Sequence, residues 1–495
     1  MLIRALLIIL LSFSLSIGGL IPQGMSLSEN QMGITTQVHP RDFVVEFFPV
    51  APYHVGDLIS MRITYTGSAE IDGREITLIV NDQSNNLNLS TKFSGYSQQA
   101  TFYWVLDTAE FDPGFLTFSF EIPEFQTSWQ EGLYLLPNPG NRNGRWMIEQ
   151  IDCCTIHFIT GTEAEEDLQT IKNILEDQTN KAWKHFSNLD IANQPENRNP
   201  LTLVLVPIVV GHGGFATDKA VLTYSRRNWA GTDLAIIAHH EVIHVIDRQL
   251  NDSPRPSLLA EGLAVYLSGG HYKEGDPMAR AAALKDMGVY LSLVEIADDF
   301  YAAQHEIGYM EAAALVAYMV ERWGWEEFVD FYFNLPERRR DSQIISDGLK
   351  DKFGMDLEEL EADFIVALEN QTIDQAVVTD VRLTIEIYDM LRRYQSLVIP
   401  SAHFRTAWWP PIDPMLENGI VGDYAYREKS PFNVIVESIF LETYAHLEVE
   451  TYQLVKENLS EIDNILDSME SSNRANSHYE LDWRLPVAPL LPITP

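Results

Sequence analysis

Residues 233–250 read Asp-Leu-Ala-Ile-Ile-Ala-His-His-Glu-Val-Ile-His-Val-Ile-Asp-Arg-Gln-Leu, and they decide how the rest of the 495-residue chain is interpreted. The stretch is mostly apolar and has neither glycine nor proline, which predicts a helix. Positions i and i+4 share one helix face, so His240 and His244 offer two imidazole nitrogens to one metal ion. Glu241 is placed to act as general base toward a water. The alternative is that the histidines are satisfied core residues.

A catalytic zinc site needs a third protein ligand and leaves its fourth position to water. Residues 257–267, Ser-Leu-Leu-Ala-Glu-Gly-Leu-Ala-Val-Tyr-Leu, supply one in Glu261. The turn-rich residues 251–256 end the first helix and let a second helix fold back. A carboxylate among apolar neighbours is costly to bury unless it pairs or binds a metal. We therefore predict Zn²⁺ held by His240, His244 and Glu261; the alternative places Glu261 on the surface at a helix start.

These motifs resemble a known family. The pattern His240-Glu241-x-x-His244 followed by Glu261-Gly-x-Ala is similar to the gluzincins, the thermolysin and aminopeptidase N group of zinc metallopeptidases. Residues 308–324 resemble the aminopeptidase helix whose opening tyrosine stabilises the oxyanion, which implies that role for Tyr309. Residues 353–361, Phe-Gly-Met-Asp-Leu-Glu-Glu-Leu-Glu, resemble the closing helix of peptidase-MA-like domains. The similarity covers about residues 150–370 and implies a zinc metallopeptidase with Glu241 as general base.

The resemblance does not extend to the residues that give aminopeptidases their specificity for a free amino terminus. No Gly-x-Met-Glu-Asn stretch, which holds the substrate's free amine in true aminopeptidases, precedes the metal helix. The sequence therefore favours neither exopeptidase nor endopeptidase. Residues 213–216 and 219–223 occupy the place of an edge strand that would bind a peptide by strand addition. Two alternatives stay open: a non-catalytic zincin-like binding or scaffold protein, which the base at position 241 disfavours, and a zinc hydrolase with a non-peptide substrate.

Several polar residues near the motifs are weaker candidates. Asp247, three positions after His244, either supports that imidazole from behind or faces solvent. His239 points about 100° away from His240 on the helix and is not expected to be a ligand. Three further side chains are rival oxyanion donors on proximity alone: His271, Tyr301 and His305.

Composition narrows the expected partners. The net charge of −37 and the pI near 4.6 argue against nucleic acid and against charge-driven binding to anionic lipid. A peptide or protein substrate is the expected partner, and the oligomeric state is unknown from the sequence. The only cysteines, Cys153 and Cys154, are adjacent, a geometry that rarely bridges. We therefore expect unbridged cysteines that are buried or weakly redox-active and are not metal ligands, and a protein that does not rely on disulfides for stability.

The first 24 residues predict export. Arg4 precedes a mostly apolar run over residues 5–17, and glycines follow at the cleavage region. This is typical of a secretory signal peptide and is too short for a confident membrane span. We predict a secreted or extracytoplasmic protein without stable membrane insertion after cleavage. If the signal is not cleaved, it is an N-terminal membrane anchor.

The expected fold is α+β and multidomain. Period-two alternation over residues 25–136 predicts a β-sandwich. Residues 146–372 are expected to form the gluzincin-like peptidase domain, with a β-α-β sheet part at 146–215 and a helical metal-site part at 216–372. Residues 373–495 predict a helical C-terminal domain that packs on or gates the cleft.

Local signals refine this outline. A capping box formed by Thr162 and Glu165 is expected to open the helix of the β-α-β unit. Long amphipathic helices are expected over residues 381–394 and 434–469, separated by a break at the Trp408 segment. The Pro-rich end is predicted to be disordered.

Overall fold

The computed structural model describes the chain from residue 38 to residue 477, apart from internal gaps at 49–52, 57, 83–84, 97–98, 139–143, 188–199, 208–212, 227–232, 252, 254, 303–304, 336–339, 399–411 and 419–430. The signal peptide predicted at residues 1–24, the Trp408 segment and the Pro-rich end lie outside the described residues. The chain is α+β, with sheets in its N-terminal part and helices towards its C-terminus, as the sequence predicted.

Two antiparallel sheets form the N-terminal part. Their strands are β1 (Phe43–Phe48), β2 (Tyr53–His54), β3 (Leu58–Tyr65), β4 (Glu75–Asn81), β5 (Asn86–Lys92), β6 (Ser94–Tyr96), β7 (Gln99–Asp107), β8 (Gly114–Ile122) and β9 (Thr127–Leu136). The strand orders are β1-β3-β7-β6 and β2-β9-β8-β4-β5, and β2 pairs with β9 as a short parallel exception. Period-two alternation turns Leu116, Phe118 and Phe120 inward. The two sheets share one buried core, in which the Phe47 and Phe118 ring centroids lie 5.0 Å apart.

A mixed sheet follows and carries the metal helices. Its elements are β10 (Trp146–Gln150), β11 (Cys154–Ile159), α1 (Glu163–Glu166), α2 (Leu168–Phe186), β12 (Leu201–Val206), β13 (Gly214–Ala216) and β14 (Ala220–Thr223). The order is β10-β11-β12-β14-β13, with the two outer strands antiparallel to their neighbours. The parallel pairing of β11 with β12 across α2 is the β-α-β unit that the pattern predicts.

Two local expectations in this sheet are wrong. Thr162 does precede α1, but its hydroxyl donates to the Ile159 carbonyl, and Glu165 accepts from the Gly161 N–H, so no capping box forms. Cys153 and Cys154 are joined by a disulfide bond, against the expectation of free thiols. The bond lies where the chain turns from β10 into β11, and that turn lets adjacent side chains meet.

The helical part of the metal site runs from α3 to α10: α3 (Leu234–Leu250), α4 (Ser257–Ser268), α5 (Pro277–Asp286), α6 (Leu293–Asp298), α7 (His305–Trp323), α8 (Trp325–Phe333), α9 (Asp341–Phe353) and α10 (Leu357–Glu369). The Asp233 carboxylate caps α3 by accepting from the Ala235 N–H at 2.7 Å. Gly262 has a packing role, because a Cβ there would lie 2.5 Å from the Ala312 carbonyl oxygen of α7. This close approach of α4 to α7 explains why glycine follows Glu261.

The C-terminal part consists of α11 (Gln375–Val398), α12 (Ile412–Asn418), α13 (Pro431–Glu448) and α14 (Tyr452–Ser477). The stretch 434–469, predicted to be helical throughout, is broken at residues 449–451, where Glu450 has a φ of 59°. That left-handed residue reverses the chain so that α13 and α14 pack on α11 through a shared apolar core. Among the described residues, no helix is both long and apolar enough to cross a membrane.

The short helix α12 packs on the mixed sheet. Ile412 belongs to the same buried cluster as Phe215 of β13, and Asp413 forms an ion pair of 2.6 Å with Lys219 in the β13–β14 turn. The C-terminal part therefore supports the outer hairpin of this sheet.

Candidate metal centre

Three side chains meet at one point between α3 and α4. His240 and His244 are one helical turn apart on α3, and their Nε2 atoms are 3.1 Å apart. Glu261 of α4 reaches the same point, with its Oε2 3.2 Å from each of these nitrogens. The structure therefore brings together the three residues that the sequence selects as ligands.

The spacing of these atoms suits a small tetrahedral ion. An ion with bonds of about 2.0–2.1 Å in tetrahedral geometry holds its ligand atoms roughly 3.3 Å apart. The observed triangle, with edges of 3.1 and 3.2 Å, is close to that value. Two imidazoles and one carboxylate also form a donor set found in catalytic zinc sites. The residues present thus fit a divalent ion without rearrangement.

Glu241 is the fourth ionisable group at this point. Its carboxylate and the two imidazoles have ligand atoms within 4.8 Å of one another, so Glu241 also qualifies as a possible metal contact. Glu261 is nevertheless the candidate third ligand among the described residues, because its Oε2 lies 3.2 Å from both nitrogens. Glu241 is buried and lies against the outer strand β13, where a Cβ on Gly214 would approach its Oε1 to 3.1 Å. Glycine at 214 therefore lets the strand pass directly over this carboxylate.

Burial and mutual charge set the proton affinities at the site. Burial raises the pKa of Glu241 to about 8, with nearby His244 opposing the shift. For His244, burial favours the neutral form, but the Glu261 and Glu241 carboxylates outweigh it and raise its pKa to about 9. Burial lowers the pKa of His240 to about 4. Burial opposes ionisation of Glu261, yet the two imidazoles hold its pKa well below the usual value. The two imidazoles therefore differ: the neighbouring carboxylates favour the protonated form of His244, whereas burial favours the neutral form of His240.

Support from outside the ligand triangle goes mainly to Glu261. The Tyr301 hydroxyl donates to Glu261 Oε1 at 2.8 Å, which leaves Oε2 directed at the imidazoles. By contrast, the buried Nδ1 of His240 makes no hydrogen bond with any described residue. Tyr301, predicted as a rival oxyanion donor, therefore contacts a ligand and is placed to orient it.

Two neighbours in the metal helix have other partners. Asp247 does not face solvent: it is buried, accepts from the Tyr332 hydroxyl at 2.9 Å and lies 3.8 Å from Arg255 Nε. It joins α3 to α8, and its charge adds to those that raise the pKa of His244. His239 turns away from the ligands, as expected, and its Nδ1 lies 3.0 Å from the Gln178 side-chain oxygen of α2.

A wall of aromatic rings stands beside the ligands. The Tyr309 ring centroid lies 6.2 Å from that of His240, and its phenol interacts electrostatically with Glu261 and Glu241. Burial is the main cause that raises the pKa of Tyr309 well above its usual value, so the phenol keeps its hydrogen. The His271 ring stacks on the Tyr309 ring with 3.9 Å between their centroids, and its centroid lies 5.7 Å from that of the His240 ring. The side chain of His305 lies outside the described residues.

Two further side chains that contact these rings, Glu306 and Tyr388, were not predicted from the sequence. Glu306, only 1% exposed, pairs with His271, and Tyr388 of α11 hydrogen-bonds Glu306. Glu306 carried a signal, since it is an acidic residue three positions before Tyr309 at the start of a buried helix. Nothing in the local pattern of α11 points from Tyr388 to a site more than a hundred residues earlier.

Comparison with known protein families finds a match in the part of the chain that holds the candidate metal ligands. Residues 217–370 match the family model of the Peptidase MA superfamily. The match confirms the resemblance to gluzincin-like metallopeptidases and indicates a metallopeptidase-like fold for this region. It includes α3, α4 and Tyr309 and ends before α11. Among curated proteins, no match to this chain is found.

Proposed function

We propose that this protein is a secreted zinc-dependent metallopeptidase of the gluzincin type, acting on peptides or proteins. The observation that carries the proposal is the ligand triangle of His240, His244 and Glu261 beside the buried carboxylate of Glu241. The match to the Peptidase MA superfamily supports a peptidase in place of another metal hydrolase. The export signal expected at residues 1–24 supports an extracytoplasmic location.

The three ligands would hold the ion, and Glu241 would move the proton. When bound, zinc supplies Lewis-acid chemistry, lowering the pKa of a water and polarising the substrate carbonyl. Glu241 accepts a proton from the attacking water and returns it to the leaving amine. Burial raises the pKa of Glu241 above that of an exposed carboxyl, which makes it a stronger base toward a water beside it.

Tyr309 is proposed to donate a hydrogen bond to the oxygen that becomes negative during attack. It stands beside His240, and its protonated phenol is a donor throughout the neutral pH range. A donor already in place costs no reorganisation when the charge develops.

The peptide is proposed to lie along β13. This strand is the outer member of the mixed sheet within the described chain, and it passes over Glu241 at Gly214. An extended peptide added to that edge would place a backbone carbonyl close to the ligand triangle. Backbone pairing does not depend on a free amine, which suits a protein without the aminopeptidase amine-binding motif.

The two alternatives predict different behaviour at Glu241. A non-catalytic scaffold would have no use for a second buried carboxylate beside Glu261, because burying an ionisable group costs stability. A hydrolase with a non-peptide substrate would need the same base but not an outer strand that passes over it. Gly214 therefore favours the peptidase.

A protease screen tests the proposal. The purified mature chain would be incubated with a fluorogenic peptide library, with and without a chelator, and then with zinc restored. We expect cleavage that the chelator abolishes and zinc restores, in N-acetylated and free peptides alike if no amine is required. Glu241→Gln serves as the matched inactive variant. Cleavage that persists in the chelator, or is unchanged in that variant, would overturn the proposal.

A further inference from the structure

Two aromatic side chains stand exposed beside each other on the outer face of the second sheet in the N-terminal part. Phe115 of β8 and Tyr134 of β9 are directly opposite in the strand register, and they are 60% and 59% exposed. Their chain neighbours Leu116 and Leu133 are also opposite each other, and both are buried on the inner face. Single exposed aromatic residues are common on protein surfaces, but a cross-strand pair forms an apolar patch.

The Phe115 ring lies along the surface of the sheet. A Cβ added to Gly132 of β9 would be 2.3 Å from Phe115 Cζ and 2.7 Å from its Cε1. Glycine therefore leaves room for the ring, although glycine inside a strand weakens that strand. An aromatic ring that covers a strand glycine stabilises a sheet by itself, and this accounts for Phe115. It does not account for Tyr134, whose exposed ring adds a second aromatic surface beside the first.

Uncharged polar groups continue the same face. Thr117 and Ser119 alternate with the core residues of β8, and Gln130 of β9 lies opposite Ser119 and donates from its Nε2 to Ser119 Oγ at 3.0 Å. Asn81 of β4 lies opposite Thr117. All four positions are neutral, although the chain has 71 acidic residues and a net charge of −37. Beside the two rings the patch thus offers hydroxyl and amide groups that both donate and accept hydrogen bonds.

We propose that this patch, formed by Phe115, Tyr134 and the neutral residues beside them, binds a neutral glycan chain with flat, equatorially substituted sugar rings, as in cellulose and chitin. Such a sugar ring has two apolar faces made of C–H groups and an edge made of hydroxyl groups. The C–H groups match the negative faces of the exposed aromatic rings. The hydroxyl groups match the hydroxyl and amide side chains that surround those rings.

Other partners fit the patch less well. It has no charge to attract a nucleic acid, an anionic lipid or a charged peptide. Two aromatic side chains bury at most about 150–250 Å² each, whereas a stable protein interface buries roughly 800 Å² on each partner. A neutral glycan needs neither charge nor so large an apolar area.

The inference does not depend on the proposed peptidase function, because the patch lies before residue 217, where the match to the peptidase family begins. Together with that function, it would hold an exported peptidase on a glycan-coated surface.

The test uses the full chain with microcrystalline cellulose and with chitin particles as probes, and measures the protein left in solution after the particles are removed. Tyr134→Ala should weaken binding about tenfold or more, because an aromatic anchor is lost. Tyr134→Phe keeps the ring and should bind nearly as wild type does. The matched control is Ile148→Ala, which removes a side chain of similar exposure from β10 and should match wild type. Phe115→Ala should also lower the melting temperature by uncovering Gly132, so the Tyr134 variants decide the result.

The outcomes separate this inference from the peptidase proposal. Binding to either polymer that Tyr134→Ala weakens, and that added salt does not, supports the inference and identifies the sugar. Wild type that binds neither polymer, or Tyr134→Ala that binds as wild type does, would overturn it. Binding that salt abolishes would also overturn it, because the contact would then be electrostatic. A wild-type dimer that Tyr134→Ala converts to a monomer would show that a second copy covers the patch. Glu241→Gln should bind the polymers unchanged, whether or not the chain cleaves peptides.

Discussion

The two sides of the metal centre are built in different ways. The ligand side comes from α3 and α4, consecutive helices joined by a short turn, and its three donor atoms lie 3.1–3.2 Å apart. The group of side chains beside the ligands takes Tyr309 and Glu306 from α7, His271 from a loop and Tyr388 from α11. The candidate metal ligands thus come from a local stretch of chain, whereas the side chains around the proposed reacting oxygen are brought together by distant packing.

This difference predicts that mutations on the two sides should have different effects on metal affinity and on turnover. Changes on the ligand side should alter metal affinity together with activity. Changes in the wall should alter turnover while metal stays bound. Glu241 belongs to the ligand helix by sequence but to the reacting side by role, so it provides the sharpest test of the division.

Removing the base should have the largest effect at constant metal content. Glu241→Gln should keep zinc but lower the rate of peptide hydrolysis by ~10²–10⁴-fold, because the amide cannot accept a proton. Zinc content and kcat would be measured on the same preparation. If the variant hydrolyses peptides at the wild-type rate, the role given to Glu241 is wrong.

Removing the Tyr309 hydroxyl is expected to have the second-largest effect on turnover. Tyr309→Phe should lower kcat by ~10²–10³-fold with little change in KM or zinc affinity, since one oxyanion donor is lost. Steady-state kinetics with a peptide from the library screen would show it. Nearly normal turnover with a lowered melting temperature would mean that Tyr309 only packs beneath the site.

Removing a support of the ligand side should act on the metal itself. Tyr301→Phe should weaken zinc binding by ~10–100-fold, because the hydroxyl that orients Glu261 is lost. The matched control is Tyr332→Phe, which removes a hydroxyl from the buried Asp247. The control should lose ~1–3 kcal/mol of stability and keep its zinc affinity. Equal zinc affinity in both variants would place Tyr301 outside the support of the metal.

The pH dependence of zinc binding should show a smaller, graded effect. The pKa of His244 is raised to about 9 and that of His240 is lowered to about 4, so near neutral pH zinc must displace one proton. Affinity should therefore fall by at least about tenfold for each pH unit below 9, and more steeply below about pH 8 if zinc also displaces the proton of Glu241. Competition against a chelator of known affinity between pH 6 and 8 measures this slope. An affinity that does not change with pH would contradict the assignment of a proton to His244.

The same division explains what the sequence could reveal. His240, His244 and Glu261 were identified because helix periodicity and one turn bring them together without knowledge of the rest of the fold. The strands of the first two sheets and the β-α-β unit followed from apolar periodicity in the same way. Each of these patterns is local, because every strand and helix is predicted from the apolar spacing of its own residues.

The features that could not be predicted from the sequence depend on tertiary packing. Tyr388 is one of several buried tyrosines, and only the fold brings its hydroxyl to Glu306. The sequence indicates Tyr301 only as a rival oxyanion donor, and nothing in its surroundings indicates that its hydroxyl reaches Glu261. The break at Glu450 was missed because a left-handed turn without glycine leaves no signal in an apolar pattern.

The most direct test of the central claim is the zinc content of three purified full-length chains: wild type, Glu241→Gln and Glu261→Ala. The ligand triangle predicts about one zinc per chain in wild type and in Glu241→Gln, and almost none in Glu261→Ala after dialysis. Peptide hydrolysis should be present in wild type alone. Wild-type protein that binds no zinc when zinc is supplied, or Glu261→Ala protein that binds it as wild type does, would contradict the account.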